Sequence, residues 1–70
     1  LFSRRPDKVL QRNVVVNLLS GNAVSGVCSY ECRVSLVLRG ATVHEPGAEP
    51  VPADGELLID RANVDFIQLL

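Results

Sequence analysis

The chain contains no methionine and no tryptophan, one histidine, and only two cysteines among its 70 residues. Each shortage removes a class of chemistry. Cys28 and Cys32 are too few for a disulfide framework, and with His44 they still fall short of a four-ligand zinc site. They lie four apart, which is not the C-x-x-C spacing of a redox pair, so both read as small buried apolar residues. The aromatics are Phe2, Tyr30 and Phe66 alone. No apolar run approaches the ~20 residues of a membrane span and no secretory signal is visible, so no membrane is expected among the partners. The missing methionine places the initiator outside this numbering or among removed residues. A basic excess is lacking too: the net charge is −1, which gives no general argument for nucleic-acid binding.

What remains is 47% hydrophobic, mostly valine and leucine, with 21% charged residues, a composition that folds. Seventy residues make one domain. A chain this short buries only roughly 60% of its unfolded surface and needs a support; with disulfides and metals excluded, association with other chains is the natural one. Charge is unevenly placed. Residues 1–12 carry Arg4, Arg5, Lys8 and Arg12 against Asp7, a balance of +3, whereas the other 58 residues carry three arginines against seven acids, a balance of −4. Residues 1–12 therefore read as a basic arm on an acidic body, and residues 13–70 as the single domain.

Along the chain, Pro6 in the first turn of PDKVLQ predicts a short N-terminal helix over 6–11. From Asn13 the period becomes two, with Val14, Val16 and Leu18 on one face of a strand. Ser20-Gly21-Asn22 predicts a tight turn into a second strand over 23–30, whose core face holds Val24, Gly26 and Cys28. Gly26, in mid-strand, predicts a sharp bend or a close backbone approach, the device by which one strand serves both sides of a small barrel. After a break near Glu31, Val34, Leu36 and Leu38 alternate in a third strand that Gly40 either bends or ends. Residues 45–55 hold three prolines, two glycines and only acidic charge, and are expected to lie outside the sheet. Residues 56–60 and 63–69 predict two last strands, the latter with Val64, Phe66 and Gln68 on one face. The expected fold is mainly β: a short N-terminal helix and a five-stranded, strongly bent barrel.

Catalytic groups are hard to find. His44 has no serine or cysteine near it in sequence, the acids Glu45, Glu49, Asp54 and Glu56 lack the spacing of a calcium loop, and Gly21 and Gly26 lack the lysine of a phosphate loop. The two glycines read as structural. No enzyme activity and no cofactor are expected. The prolines stiffen residues 45–55, which suits a rigid contact surface.

Val14-x-Val16-x-Leu18-Leu19-Ser20-Gly21, Val24-x-Gly26 and Leu36-Val37-Leu38 resemble the first half of the Sm-like motif. Ile59-Asp60-Arg61-Ala62-Asn63-Val64-Asp65-Phe66-Ile67 resembles its second half. The resemblance implies an N-terminal helix and a five-stranded bent barrel whose fourth and fifth strands pair across subunits into rings. RNA-binding members of that family carry an Asp and an Asn four apart and then an Arg-Gly pair. Here Glu31 and Ser35 stand nearest the first, and Asp60-Arg61 stands where Arg-Gly would be, so the uridine pocket is expected to be absent and nucleic acid is not an expected partner. A second resemblance runs through Leu36-Val37-Leu38-Arg39-Gly40-Ala41, the acidic proline loop, Pro52-x-Asp54-Gly55-Glu56 and Asn63-Val64-Asp65-Phe66-Ile67-Gln68. These strings look like small proteins encoded among the head-structure genes of tailed phages of actinobacteria.

The expectation is a non-enzymatic structural and assembly module, a minor capsid or decoration protein that binds the major capsid protein or other virion proteins in many copies. It would reside in the virion, and in the host cytoplasm during assembly. An RNA-binding Sm-like ring and a head-to-tail connector are the alternatives. The expected contact residues are Arg4, Arg5 and Lys8 on the arm and Pro46, Glu49, Pro50 and Pro52 on the loop.

Overall fold

Six strands form one antiparallel sheet in a computed structural model that describes residues 9–70. The strands are β1 (Asn13–Leu18), β2 (Ala23–Glu31), β3 (Ser35–His44), β4 (Val51–Pro52), β5 (Glu56–Asp60) and β6 (Val64–Leu69), with a single 3-10 turn over Arg61–Asn63. Their order is β4-β3-β2-β1-β6, and β5 also pairs with β3. The edge of β3 opposite β2 is thus shared. Its first half, Ser35 to Arg39, pairs with β5, and Thr42 and Val43 pair with β4.

The expected mainly β architecture stands, with three corrections. No helix occurs among the described residues beyond the single 3-10 turn. Residues 9–11 make a single turn closed by Arg12 N donating to the Val9 carbonyl, and Gln11 at φ 62° takes the chain out of right-handed geometry, so the turn does not continue past it. Residues 6–8 of the expected helix lie outside the described residues. The proline loop is not wholly outside the sheet either, because Pro52 pairs with Thr42. A two-residue edge strand tolerates a residue with no N–H to donate, which a central strand would not. Finally, the sheet is bent but not closed: β5 pairs with β3, β6 pairs with β1, and the outer edges of both have no strand partner among the described residues.

The core follows from alternation. Val14 and Val16 of β1, Val24 and Cys28 of β2, Leu36, Leu38 and Ala41 of β3 and Ile59 of β5 are all buried. Leu36 and Leu38 are fully buried. Truncating either to alanine costs about 2–5 kcal/mol, comparable to the ~3–5 kcal/mol that holds a domain of this size together.

Gly21 sits at φ 97° in the β1–β2 turn, where a left-handed residue is required and glycine supplies it without strain. Gly26 acts differently. A Cβ there would stand 2.9 Å from the Arg39 carbonyl oxygen and 3.2 Å from the Ala41 Cα. The expected bend is therefore a close crossing of two backbones, and the β2–β3 register shifts at that point, between Ser25 and Val27.

Candidate interaction surface

Pairing fixes which side chains leave the core. Leu57 and Ile59 of β5 lie opposite Leu38 and Leu36 and face inward, so Glu56, Leu58 and Asp60 face outward beside Arg39, Val37 and Ser35. A second register shift, between Cys28 and Tyr30, turns Tyr30 outward opposite Val37 and Glu31 inward opposite Leu36. Tyr30, Val37 and Leu58 thereby make a row across three strands that stops at the unpaired edge of β5. Tyr30 is 54% exposed and Leu58 73%. Beside the row lies an open depression of about 300 Å³ lined by Val34, Ser35, Leu58 and Asp60. Val34 is 68% exposed, because it belongs to the β2–β3 turn and not to the inward face of a strand.

The other free edge carries a matching group. β6 has a register shift opposite Asn17/Leu18, which leaves Asp65 unpaired and splits the expected face: Val64 lies inward opposite Leu18, and Phe66 outward opposite Asn17. Phe66 is 56% exposed. Gln68, opposite Val15, shares its face. Next to Phe66, the Asn17 Nδ2 is buried without a hydrogen-bond partner. Among the described residues, the sheet therefore ends on both sides in an edge with no strand partner, each with a large apolar side chain facing out.

Between these edges, Arg61 fastens one corner. Its Nε donates to the Cys32 carbonyl at 2.8 Å, its guanidinium pairs with the Glu31 carboxylate, and its backbone N donates to the Val34 carbonyl. The Glu31 side chain is 5% exposed. Asp60 Oδ1 accepts from Ala62 N and caps the 3-10 turn. Ser35 lies opposite Asp60. Glu31, Ser35, Asp60 and Arg61 thus converge from separate parts of the chain, but their polar atoms hold the corner together. Arg61 is an internal clamp, and the acid beside it is a cap.

Cys32 departs from the expected buried apolar role. It is only half-buried; its Sγ lies 3.4 Å from Ser35 Oγ and its N donates to the Ser35 carbonyl. The hydrogen bond from Ser35, helped by the backbone of Val34 and Ser35, lowers the thiol to about 7. Cys28 does fill the expected buried place, and desolvation raises its pKa. His44 acquires a partner from 19 residues away in sequence: the β2–β3 ladder brings Ser25 Oγ to 2.9 Å from its Nε2.

Of the contact residues expected from sequence, Arg4, Arg5 and Lys8 lie outside the described residues. Pro46, Glu49, Pro50 and Pro52 are all exposed on the segment between β3 and β5. They adjoin the far half of β3 and are not joined to the Tyr30–Leu58 row. Leu58 and Phe66 are not identified by the sequence pattern. The outward alternation of Glu56, Leu58 and Asp60 is a usable signal for the first, whereas Phe66 depends on an unreadable bulge. Among the described residues, no group of three or more His, Cys, Asp or Glu side chains could hold a metal ion, and no helix is long and apolar enough to cross a membrane. No protein-family model matches the chain, and no curated protein matches it in sequence.

Proposed function

We propose that the chain is a non-enzymatic assembly module, a small Sm-like barrel whose copies join edge to edge and bind a larger shell as a minor capsid or decoration protein. The observation that carries this is the pair of edges, β5 and β6, that have no strand partner among the described residues, each with an exposed large apolar side chain. Soluble monomers blunt such edges with charged side chains (lysine above all), proline, bulges or a covering segment, and here the acids Glu56, Asp60 and Asp65 and the β6 bulge do so only in part. Glu56–Asp60 and Val64–Leu69 contain neither lysine nor proline. Strand addition at an edge supplies affinity through main-chain hydrogen bonds and specificity through alternate side chains. Two different edges on one molecule make a head-to-tail contact, which gives rings or repeated arrays.

The strand order, with first and last strands adjacent and a bent second and third, supports the Sm-like reading of the motif strings. The resemblance to small phage head proteins supplies the partner class, the major capsid protein or another virion component, and hence the virion as location. We assign no RNA pocket to the Glu31–Arg61 corner, since its guanidinium is already held by a carboxylate and a carbonyl.

Sedimentation velocity over a concentration series tests the edge-to-edge part: assembly is expected to grow with concentration and to disappear in a Leu58→Lys/Phe66→Lys double variant. Co-sedimentation with shells of the major capsid protein from the same source tests the second part. A chain that stays monomeric and fails to sediment with shells refutes the proposal.

A further inference from the structure

We infer that the Asp54-Gly55 peptide is a site of spontaneous backbone modification, where the chain rearranges to an isoaspartyl linkage, and that the change frees β4 while leaving β5 in place. The inference is independent of the edge-to-edge reading. Asp54 is the only Asp or Asn of the chain that a glycine follows. Glycine matters because the next residue's main-chain nitrogen must reach the side-chain carboxyl carbon, and a Cβ there obstructs the approach. Both residues are exposed and lie between strands. Among the described residues, the Asp54 carboxyl has no hydrogen-bond or ion-pair partner and the Gly55 N–H donates to no acceptor. The surroundings of Gly55 are open: at φ 75°, even an added Cβ would meet no atom within 4 Å. Asp60 supplies the contrast. Its Oδ1 accepts from Ala62 N, and the nitrogen that follows it, that of Arg61, donates to the Val34 carbonyl at 2.9 Å. Both reacting groups are held there, and both are loose at Asp54.

Water is the only co-reactant. The Gly55 nitrogen attacks Cγ of the Asp54 carboxylic acid; a C–N bond forms, and the N–H hydrogen leaves with the carboxyl OH as one water. A second water opens the five-membered imide at the Asp54 main-chain carbonyl. The chain then runs through Cβ and Cγ, and the former carbonyl becomes a free carboxylate. Nothing is oxidised or reduced, and the backbone gains one atom. The fold decides where that atom is absorbed. Between the Thr42/Pro52 and Arg39/Glu56 pairs, Ala53, Asp54 and Gly55 stand opposite only Gly40 and Ala41, so the edge already bulges there. Five residue pairs hold β5 on one side of the bulge. On the other, two pairs and the bond from Ala53 N to the Ala41 carbonyl hold β4. The weaker side yields.

The test ages the full-length protein at neutral pH and body temperature, beside the same protein unfolded in urea. Isoaspartate is located by electron-transfer fragmentation of peptides and by labelling with an isoaspartyl methyltransferase. It is expected at position 54 of the folded chain at a rate within a few-fold of the unfolded chain. At Asp60, folding should slow the reaction roughly tenfold or more, since two hydrogen bonds of ~0.5–1.5 kcal/mol each must open first. Asp54→Glu keeps the charge but cannot close a five-membered ring, and should give no label at 54. Protection of position 54 by folding overturns the site. Equal rates at Asp60 in the folded and unfolded chain overturn the part assigned to the held groups. In the aged form, separated by chromatography, hydrogen exchange should show the Ala53 amide losing protection while the β5 amides bonded to β3 keep theirs. Protection kept at Ala53, or lost along β5, overturns the release of β4.

Discussion

Replacing Gly26 with alanine isolates the backbone crossing on which the bend of the sheet depends. The added methyl would lie 2.9 Å from the Arg39 carbonyl oxygen, 3.2 Å from the Ala41 Cα and 3.5 Å from the Leu38 Cβ. The two nearest atoms are backbone, so no rotamer change relieves the clash; β2 and β3 must move apart at the crossing. Overpacking of this kind costs about 1–3 kcal/mol. Against it stands the ~0.4–1 kcal/mol that alanine gains by restricting the unfolded chain. The net is a loss of about 1–2 kcal/mol, a large share of the ~3–5 kcal/mol expected for such a domain. Each kcal/mol moves the midpoint of a domain this size by roughly 4–8 °C, so the Tm followed by far-ultraviolet circular dichroism should fall by about 5–15 °C. Gly21→Ala is the control, since no atom lies within 4 Å of its added methyl and only the φ of 97° opposes it. That strain amounts to about 1–2 kcal/mol. The two variants are separated by a second step. Gly26→Val should lose more again because its branches enter the crossing, whereas Gly21→Asn should recover stability because asparagine tolerates left-handed backbone. A Gly26→Ala chain as stable as the parent would refute the close approach.

Three other perturbations act on single side chains. Arg61→Ala removes one partner of a Glu31 carboxylate that is 5% exposed; the expected loss in urea unfolding is about 1–3 kcal/mol, below the 3–5 kcal/mol of a dry pair because the guanidinium is partly wet. Adding Glu31→Gln should return part of that loss, and no return would sink the clamp. Asn17→Val removes a buried amide nitrogen without a partner and places a β-branched residue in a strand, so stability should rise by about 0.5–1 kcal/mol in the same measurement. The Cys32 thiol is lowered from the ordinary 9.0 to about 7, so its ionisation favours the fold fully above pH 9 and the advantage is lost as pH falls from 9 through 7. Iodoacetamide should therefore modify Cys32 with a half-rise near pH 7, Ser35→Ala should move that rise upward, and Cys28 should react only on unfolding.

The parts of the fold legible in the sequence are those governed by local alternation and turn chemistry. Val14-Val16-Leu18 and the Ser20-Gly21-Asn22 turn specify the first hairpin from a few neighbouring residues, and Leu36-Leu38 marks the core of β3. The illegible parts involve residues out of phase with the ladder. Ser29 and Asp65 each add one residue to a strand and reverse the faces of the residues beyond them, so Glu31 turns in and Phe66 turns out. No count of period two detects where such a step falls. Pro52 misleads for another reason: proline's rule against sheets applies to central strands, and β4 is a two-residue edge. At the candidate surface, Asp60 and Arg61 mark the right corner; the cap is local, to Ala62, but the clamp depends on Glu31, 30 residues away.

The shared edge of β3 also isolates a loop. Because β4 is pinned at Thr42–Val43 and β5 at Ser35–Arg39, the segment over 45–50 is a detour that leaves the sheet and returns to the same strand. Its tip closes on itself, with Ala48 N donating to the Glu45 carbonyl at 3.1 Å, and every residue from 45 to 50 is exposed. Nothing in the core depends on its length, and lengthening such a loop adds only about 0.6 kcal/mol per doubling. This tip is therefore a graft point. A short epitope inserted between Gly47 and Ala48 should be displayed to solvent while the sheet keeps its shape and its Tm.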